Sequence, residues 1–211
     1  MKTDALIDLL ARDAGPAPRA LAWRRLSPAA AAGLFVSAVA AIGWFGALPA
    51  QMFATAVPWM KMAYAGALAA AAGWLAARLS MPAAPVRSAT RAVTVVVLAM
   101  AAIGLLSWFA APAGERMAAL LGHSWFSCPP SVLVLSLPAL VGSLWAVWGM
   151  APTRLRAAGF AAGLLAGAVG AFGYSLSCPE ASAAFVAVWY SLGILLTGAL
   201  GAALGPYVLR W

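Results

Sequence analysis

Charge is scarce in this chain: only 9% of its 211 residues are Asp, Glu, Lys or Arg, against roughly 25% in a soluble domain. That shortage excludes an ordinary water-soluble fold. Histidine occurs once and cysteine twice, a low count for a zinc motif. No Asp, Glu, Lys or His falls in the middle of an apolar run. Intramembrane ionisable groups mark proton relays and ion sites, so their absence argues against a proton-coupled transporter or pump. Tyr64, Tyr174, Tyr190 and Thr197 remain as polar groups able to line a small cavity. Midplane Gly/Pro breaks of the transporter kind are also missing, and Pro138 reads as a simple helix kink.

What the chain has in abundance is hydrocarbon, with 65% hydrophobic residues and a mean hydropathy of +0.94. A bilayer core about 30 Å thick needs ~20 apolar residues per helix. Six stretches qualify, at about 27–48, 62–79, 92–111, 131–150, 157–176 and 181–204. They are rich in Ala, Leu and Gly without strict alternation, which favours helices over barrel strands. The expected fold is therefore all-α: a polytopic membrane bundle of six transmembrane helices. A cleaved signal peptide is not expected, because the first apolar run starts late and is one of six.

The net charge of +8 is explained by where it sits, and no direct nucleic-acid partner is expected. Eleven basic residues fall on one side of the bundle: Lys2, Arg12, Arg19, Arg24, Arg25, Arg78, Arg87, Arg91, Arg154, Arg156 and Arg210. Only Lys61 and Arg116 fall on the other. Excess Lys and Arg in short loops marks the cytoplasmic face, so both termini are expected inside, with anionic headgroups as counter-ions. Trp23, Trp74, Trp148 and Trp211 near inner span ends, with Trp44, Trp59, Trp108 and Trp125 near outer ones, fit interfacial belts.

Residues 1–25 read as a short cytoplasmic arm, and residues 26–211 as one transmembrane domain. Leu6, Ile7, Leu9 and Leu10 make an apolar helical face, with Asp4, Asp8 and Arg12 opposite and Thr3 as a candidate N-cap. Gly15-Pro16-Ala17-Pro18 ends that helix. A lone helix this short is marginal in water, so its leucines need a covering surface. In the last two spans Gly159, Gly163 and Gly167, then Thr197, Gly201 and Gly205, recur at spacing four. Such ridges let helix backbones approach closely.

The chain's only two cysteines sit in a repeated tripeptide, Ser127-Cys128-Pro129 and Ser177-Cys178-Pro179, each ahead of an apolar run on the outer side. Proline suits the first position of a helix, which would set each cysteine at or beside an N-cap, where the helix dipole favours thiolate. Together with His123 and Glu180, the two sulfurs supply a ligand set for a thiophilic metal. Three readings stay open: a plain disulfide staple, a redox- or metal-responsive pair, and inert thiols. Two matched thiols in so unreactive a frame suit a detector better than a catalyst.

The residues also carry a resemblance. Met1-Lys2-Thr3-Asp4 with Leu6-Ile7, His123-Ser124-Trp125 leading to Cys128-Pro129, Ala151-Pro152-Thr153-Arg154, Cys178 with Glu180, Trp189-Tyr190-Ser191-Leu192-Gly193 and the closing Leu209-Arg210-Trp211 together resemble the NrsF family. Its members are six-span bacterial anti-sigma factors, negative regulators of sigma F. The resemblance implies a non-enzymatic protein that sequesters an extracytoplasmic-function sigma factor at the bacterial inner membrane. It implies that Cys128 and Cys178, at the periplasmic face, respond to heavy-metal or oxidative stress, with the arm as the sigma contact. No resident cofactor is expected; a thiophilic metal would bind transiently, as the signal. The arm holds no His or Cys, so a zinc-type anti-sigma domain is unavailable to it. Two other classes compete: a membrane thiol–quinone oxidoreductase, which commonly uses two cysteine pairs, and a small-solute transporter, disfavoured by the uncharged spans.

Overall fold

The structure is a computed structural model that describes Thr3, Ile7, Asp8 and residues 21–210, except Ala83 and Ala151. Its helices from residue 21 onward are α1 (Leu21–Phe45), α2 (Ala56–Leu79), α3 (Arg87–Ala110), the short α4 (Arg116–Leu121), α5 (Cys128–Trp148), α6 (Leu155–Tyr174) and α7 (Ala183–Val208). All except α4 are long and apolar enough to cross a membrane, and no strand occurs among the described residues. The chain is thus an all-helical, six-span membrane bundle.

Successive spans alternate in direction, which gathers the loops at two ends. One end carries Cys128 and Cys178; the other carries Arg24, Arg25, Arg78, Arg87, Arg91, Arg154, Arg156 and Arg210. Helix α6 is the hub, packing on α1, α2, α5 and α7. In its most apolar stretch 72% of residues are buried, against 11% in α3, which lies at the periphery against α2 and the start of α7. Composition explains the difference. Helix α6 is built almost wholly from Gly, Ala and Leu, so neighbours can approach it from every side.

The closest approach is between α6 and α7. A Cβ on Gly163 would come within 2.5 Å of the Thr197 carbonyl oxygen, and one on Gly167 within 2.9 Å of the Ile194 Cα. Gly159, Gly201 and Gly205 lie along the same seam, each against backbone of the facing helix. Helix α1 buries a narrow stripe of Ala22, Leu26, Gly33, Ser37 and Ala41, leaving its remaining faces to lipid. It crosses α5 where a Cβ on Gly33 would sit 2.5 Å from that of Ala139. Buried hydroxyls add specific ties: Ser136 and Thr197 pair at 2.9 Å between α5 and α7, and Tyr64 with Ser191 at 2.7 Å between α2 and α7.

Two boundaries differ from the sequence expectation, with consequences for the site. Helix α1 is already helical at Leu21, the first described residue of the segment, so Arg24 and Arg25 belong to the span rather than to the arm. In the arm, Thr3, Ile7 and Asp8 are helical and exposed, while Asp4, Leu6, Leu9 and Leu10 lie outside the described residues. Helix α2 begins at Ala56, six residues ahead of the expected position 62, because Pro58 is tolerated in a first helical turn. That earlier start carries Lys61 into the helix near its cysteine end, where it is wholly buried, while the middles of the spans hold no Asp, Glu, Lys or His.

Candidate functional site

At the cysteine end, the loops before α5 and before α7 fold against each other. Cys128 is the first residue of α5; its N–H donates to the Ser124 carbonyl at 2.8 Å, and Ser127 is the N-cap. Cys178 does not occupy the matching place. The cap of α7 is Ser182, whose Oγ accepts from the Phe185 N–H at 3.4 Å. Cys178 instead lies four residues earlier, in the turn leaving α6, with its N–H on the Tyr174 carbonyl at 3.0 Å. The expectation of a cysteine at or beside an N-cap thus holds for Cys128, which follows the cap, and fails for Cys178. At the second tripeptide the chain has no regular structure from Cys178 to Ser182 instead of turning at once into helix.

Both thiols are free and have no exposed surface. They are near enough to interact electrostatically with each other and with Lys61, Glu180, Tyr174 and Tyr190. Lys61 is the residue that sequence reasoning missed. Its side chain is wholly buried, and Nζ donates to the Cys178 carbonyl oxygen at 2.8 Å. Among the described residues no carboxylate lies within ion-pair distance of it. Pro58 three residues earlier was the available signal, since it extends the helix to include Lys61. The Tyr190 ring stands 5.8 Å from that of Tyr174, and its wholly buried side chain interacts with Cys178. A π-helical turn over Val186–Tyr190 ends on this tyrosine. Such turns are frequent at functional sites.

Glu180 does not face a metal. Its Oε1 accepts from the His123 N–H at 2.7 Å, the Ser124 N–H at 3.0 Å and the Ser124 hydroxyl at 3.0 Å. The carboxylate therefore clasps the loop before Cys128 to the loop after Cys178. The clasp requires glycine at position 122, where φ is +57° and a Cβ would meet Glu180 Oε2 at 2.5 Å. The His123 imidazole is fully exposed, with Nδ1 4.0 Å from Glu180 Oε1, and so is not brought into the pocket of the thiols. No three His, Cys, Asp or Glu side chains among the described residues converge as a metal-holding group. The four-residue ligand set of the sequence reading is not assembled. What the pocket offers to a soft metal or an oxidant is the two sulfurs.

The energetics of Lys61 are informative. Burying an ammonium costs several kcal/mol, whereas one charge-assisted hydrogen bond returns about 1.5–3 kcal/mol. Lys61→Met fills the same volume without the charge. Thermal melts of the purified protein should show it equal to or more stable than the parent, by up to about 3 kcal/mol. A drop of that size would mean the bond to Cys178 outweighs desolvation.

The chain is similar to known proteins along nearly its whole length. The family model described as negative regulator of sigma F, NrsF, matches residues 10–211. The anti-sigma-F factor NrsF of Caulobacter vibrioides (strain NA1000 / CB15N) is 43% identical, with both chains covered in full. The probable anti-sigma-F factor NrsF of Azospira oryzae is 38% identical over the whole of both chains. No solved structure matches the chain at a significant level.

Proposed function

Because the chain belongs to the NrsF family of negative regulators of sigma F, we propose that it is a membrane anti-sigma factor, without enzyme activity, that holds an extracytoplasmic-function sigma factor at the bacterial inner membrane. Release follows when Cys128 and Cys178, on the periplasmic side, meet a heavy metal or an oxidant. Full-length similarity to relatives named as anti-sigma-F factors is the observation that carries the sequestering half. The sensing half is supported by the convergence of the only two thiols, 50 residues apart in sequence, in one buried pocket with Lys61, Tyr174 and Tyr190.

The two halves are joined by α1. This single helix of 25 residues spans about 37 Å, leads from the arm at one end of the bundle, and packs the Phe45 ring 5.5 Å from that of Tyr174 at the other. A change at the thiols that moves Tyr174 acts directly on the far end of the helix that carries the arm. In the resting state Leu6, Ile7, Leu9 and Leu10 cover an apolar groove on sigma, and Asp4 and Asp8 face basic surface. Ile7, 56% exposed, and Asp8 have no covering surface within this chain's described residues, which suits a face awaiting a partner.

The sequestering half is tested by Leu6→Asp with Leu10→Asp. The doubly substituted protein should insert normally but no longer co-purify with its sigma factor, and sigma-dependent transcription should rise at least severalfold without stress. Unchanged co-purification would place the contact on the loops at the arginine end instead.

A further inference from the structure

We propose that the seam between α1 and α5 at the arginine end of the bundle is a binding site for one anionic phospholipid. Two hollows of about 410 and 430 Å³ meet there, sharing Arg25, Pro28 and Trp145. The first opens at Arg24 and Trp148; the second continues along the small residues Ala29, Ala32, Gly33 and Gly142 as far as Val36 and Pro138. From Arg25 to Val36 the trough follows α1 for about 16 Å, with charge at one end and hydrocarbon along the rest. That is the polarity of a phospholipid.

The setting supplies the occupant. Only 22% of the most apolar stretch of α1 is buried, so the trough opens towards lipid. The charged end selects among lipids. Arg24 and Arg25 are adjacent on α1, so two positive charges stand together at the mouth of the trough. Neither arginine has a carboxylate within ion-pair distance among the described residues. The Arg25 guanidinium packs on Gly149 just past α5, which holds it beside the mouth. An anionic headgroup relieves this concentration of positive charge, whereas a zwitterionic one brings no net charge to it. Trp145 and Trp148 flank the opening, in the manner of interfacial aromatic anchors.

Native mass spectrometry of the full chain, released from detergent with phosphatidylglycerol or phosphatidylcholine of identical acyl chains, tests the site. The parent should retain phosphatidylglycerol about 30-fold more strongly. Arg24→Ala with Arg25→Ala should bring that ratio close to one, while Arg24→Lys with Arg25→Lys keeps most of it. Ala32→Leu, on an exposed face, should fill the trough and weaken phosphatidylglycerol at least severalfold. Glycerol 3-phosphate alone should not displace the lipid. Equal retention of the two lipids, a ratio unaffected by the double alanine change, or displacement by glycerol 3-phosphate would each overturn the assignment. The first of these would leave the trough to the chain's own arm or to a protein partner.

Discussion

Gly163→Leu is expected to leave almost no folded protein to isolate. The Cβ alone would stand 2.5 Å from the Thr197 carbonyl oxygen and 2.9 Å from the Gly198 Cα, both backbone atoms that no rotamer change can move aside. Leucine then adds three more carbons. Overpacking a core that can adjust its side chains typically costs about 1–3 kcal/mol. Here relief requires separating α6 from α7, which also opens the contacts at Gly159, Gly167, Gly201 and Gly205. Whole domains are stable by only about 5–15 kcal/mol, so the loss takes most of what is available. The measurement is the yield of monodisperse protein on size exclusion. Gly43→Leu is the matched control, because a Cβ there meets nothing within 4 Å. A normal yield from Gly163→Leu would show that the seam is not closely packed.

That seam also shows what a sequence can disclose. A four-residue repeat of small side chains is a local pattern, and local patterns define a helix face without knowledge of its partner. The six apolar runs are legible for the same reason, since each is long enough by itself to cross a bilayer. Lys61 is different. Its burial depends on where α2 begins and on a carbonyl 117 positions away, and neither is written in the neighbouring residues. Cys178 misled through Pro179, a sound helix-start signal that lost to Ser182. Glu180 read as a metal ligand because side chains are visible in a sequence, whereas its real partners are mostly backbone N–H groups of residues 123 and 124. The π-helical turn that ends on Tyr190 left no trace in composition. The site was thus legible in its sulfurs and in Tyr174 and Tyr190 as polar lining, and illegible in Lys61 and in the backbone that holds them together.

Complete burial of both thiols changes what a signal must do. The sequence placed them at a face open to solvent; the fold puts them beneath the loops that Glu180 clasps together. Only a small agent can reach them while the clasp is closed, and a bulky reagent must wait for it to open. Three hydrogen bonds to a carboxylate, each worth about 1.5–3 kcal/mol, make that opening infrequent.

Cys128→Ala and Cys178→Ala, made separately, are each expected to abolish induction by cadmium or peroxide while repression persists. Moving bound sigma from 99:1 to 1:99 takes about 5.5 kcal/mol of preference between two states. A disulfide typically supplies 2–4 kcal/mol, and a two-sulfur metal link is of comparable or greater strength. Either bond requires both sulfurs, so loss of one removes the whole driving term rather than half of it. Cysteine to alanine deletes one buried atom and introduces no unpaired hydroxyl, which keeps the cost to folding near 1 kcal/mol. Serine at the same positions is a weaker test, because its hydroxyl is itself a hydrogen-bonding group and Tyr190 stands beside Cys178 to pair with it. The measurement is a sigma-dependent reporter before and after challenge, with membrane levels of each variant held equal. Full induction in either alanine variant would remove the paired thiols from the mechanism and turn attention to Lys61, the other buried group that binds this loop.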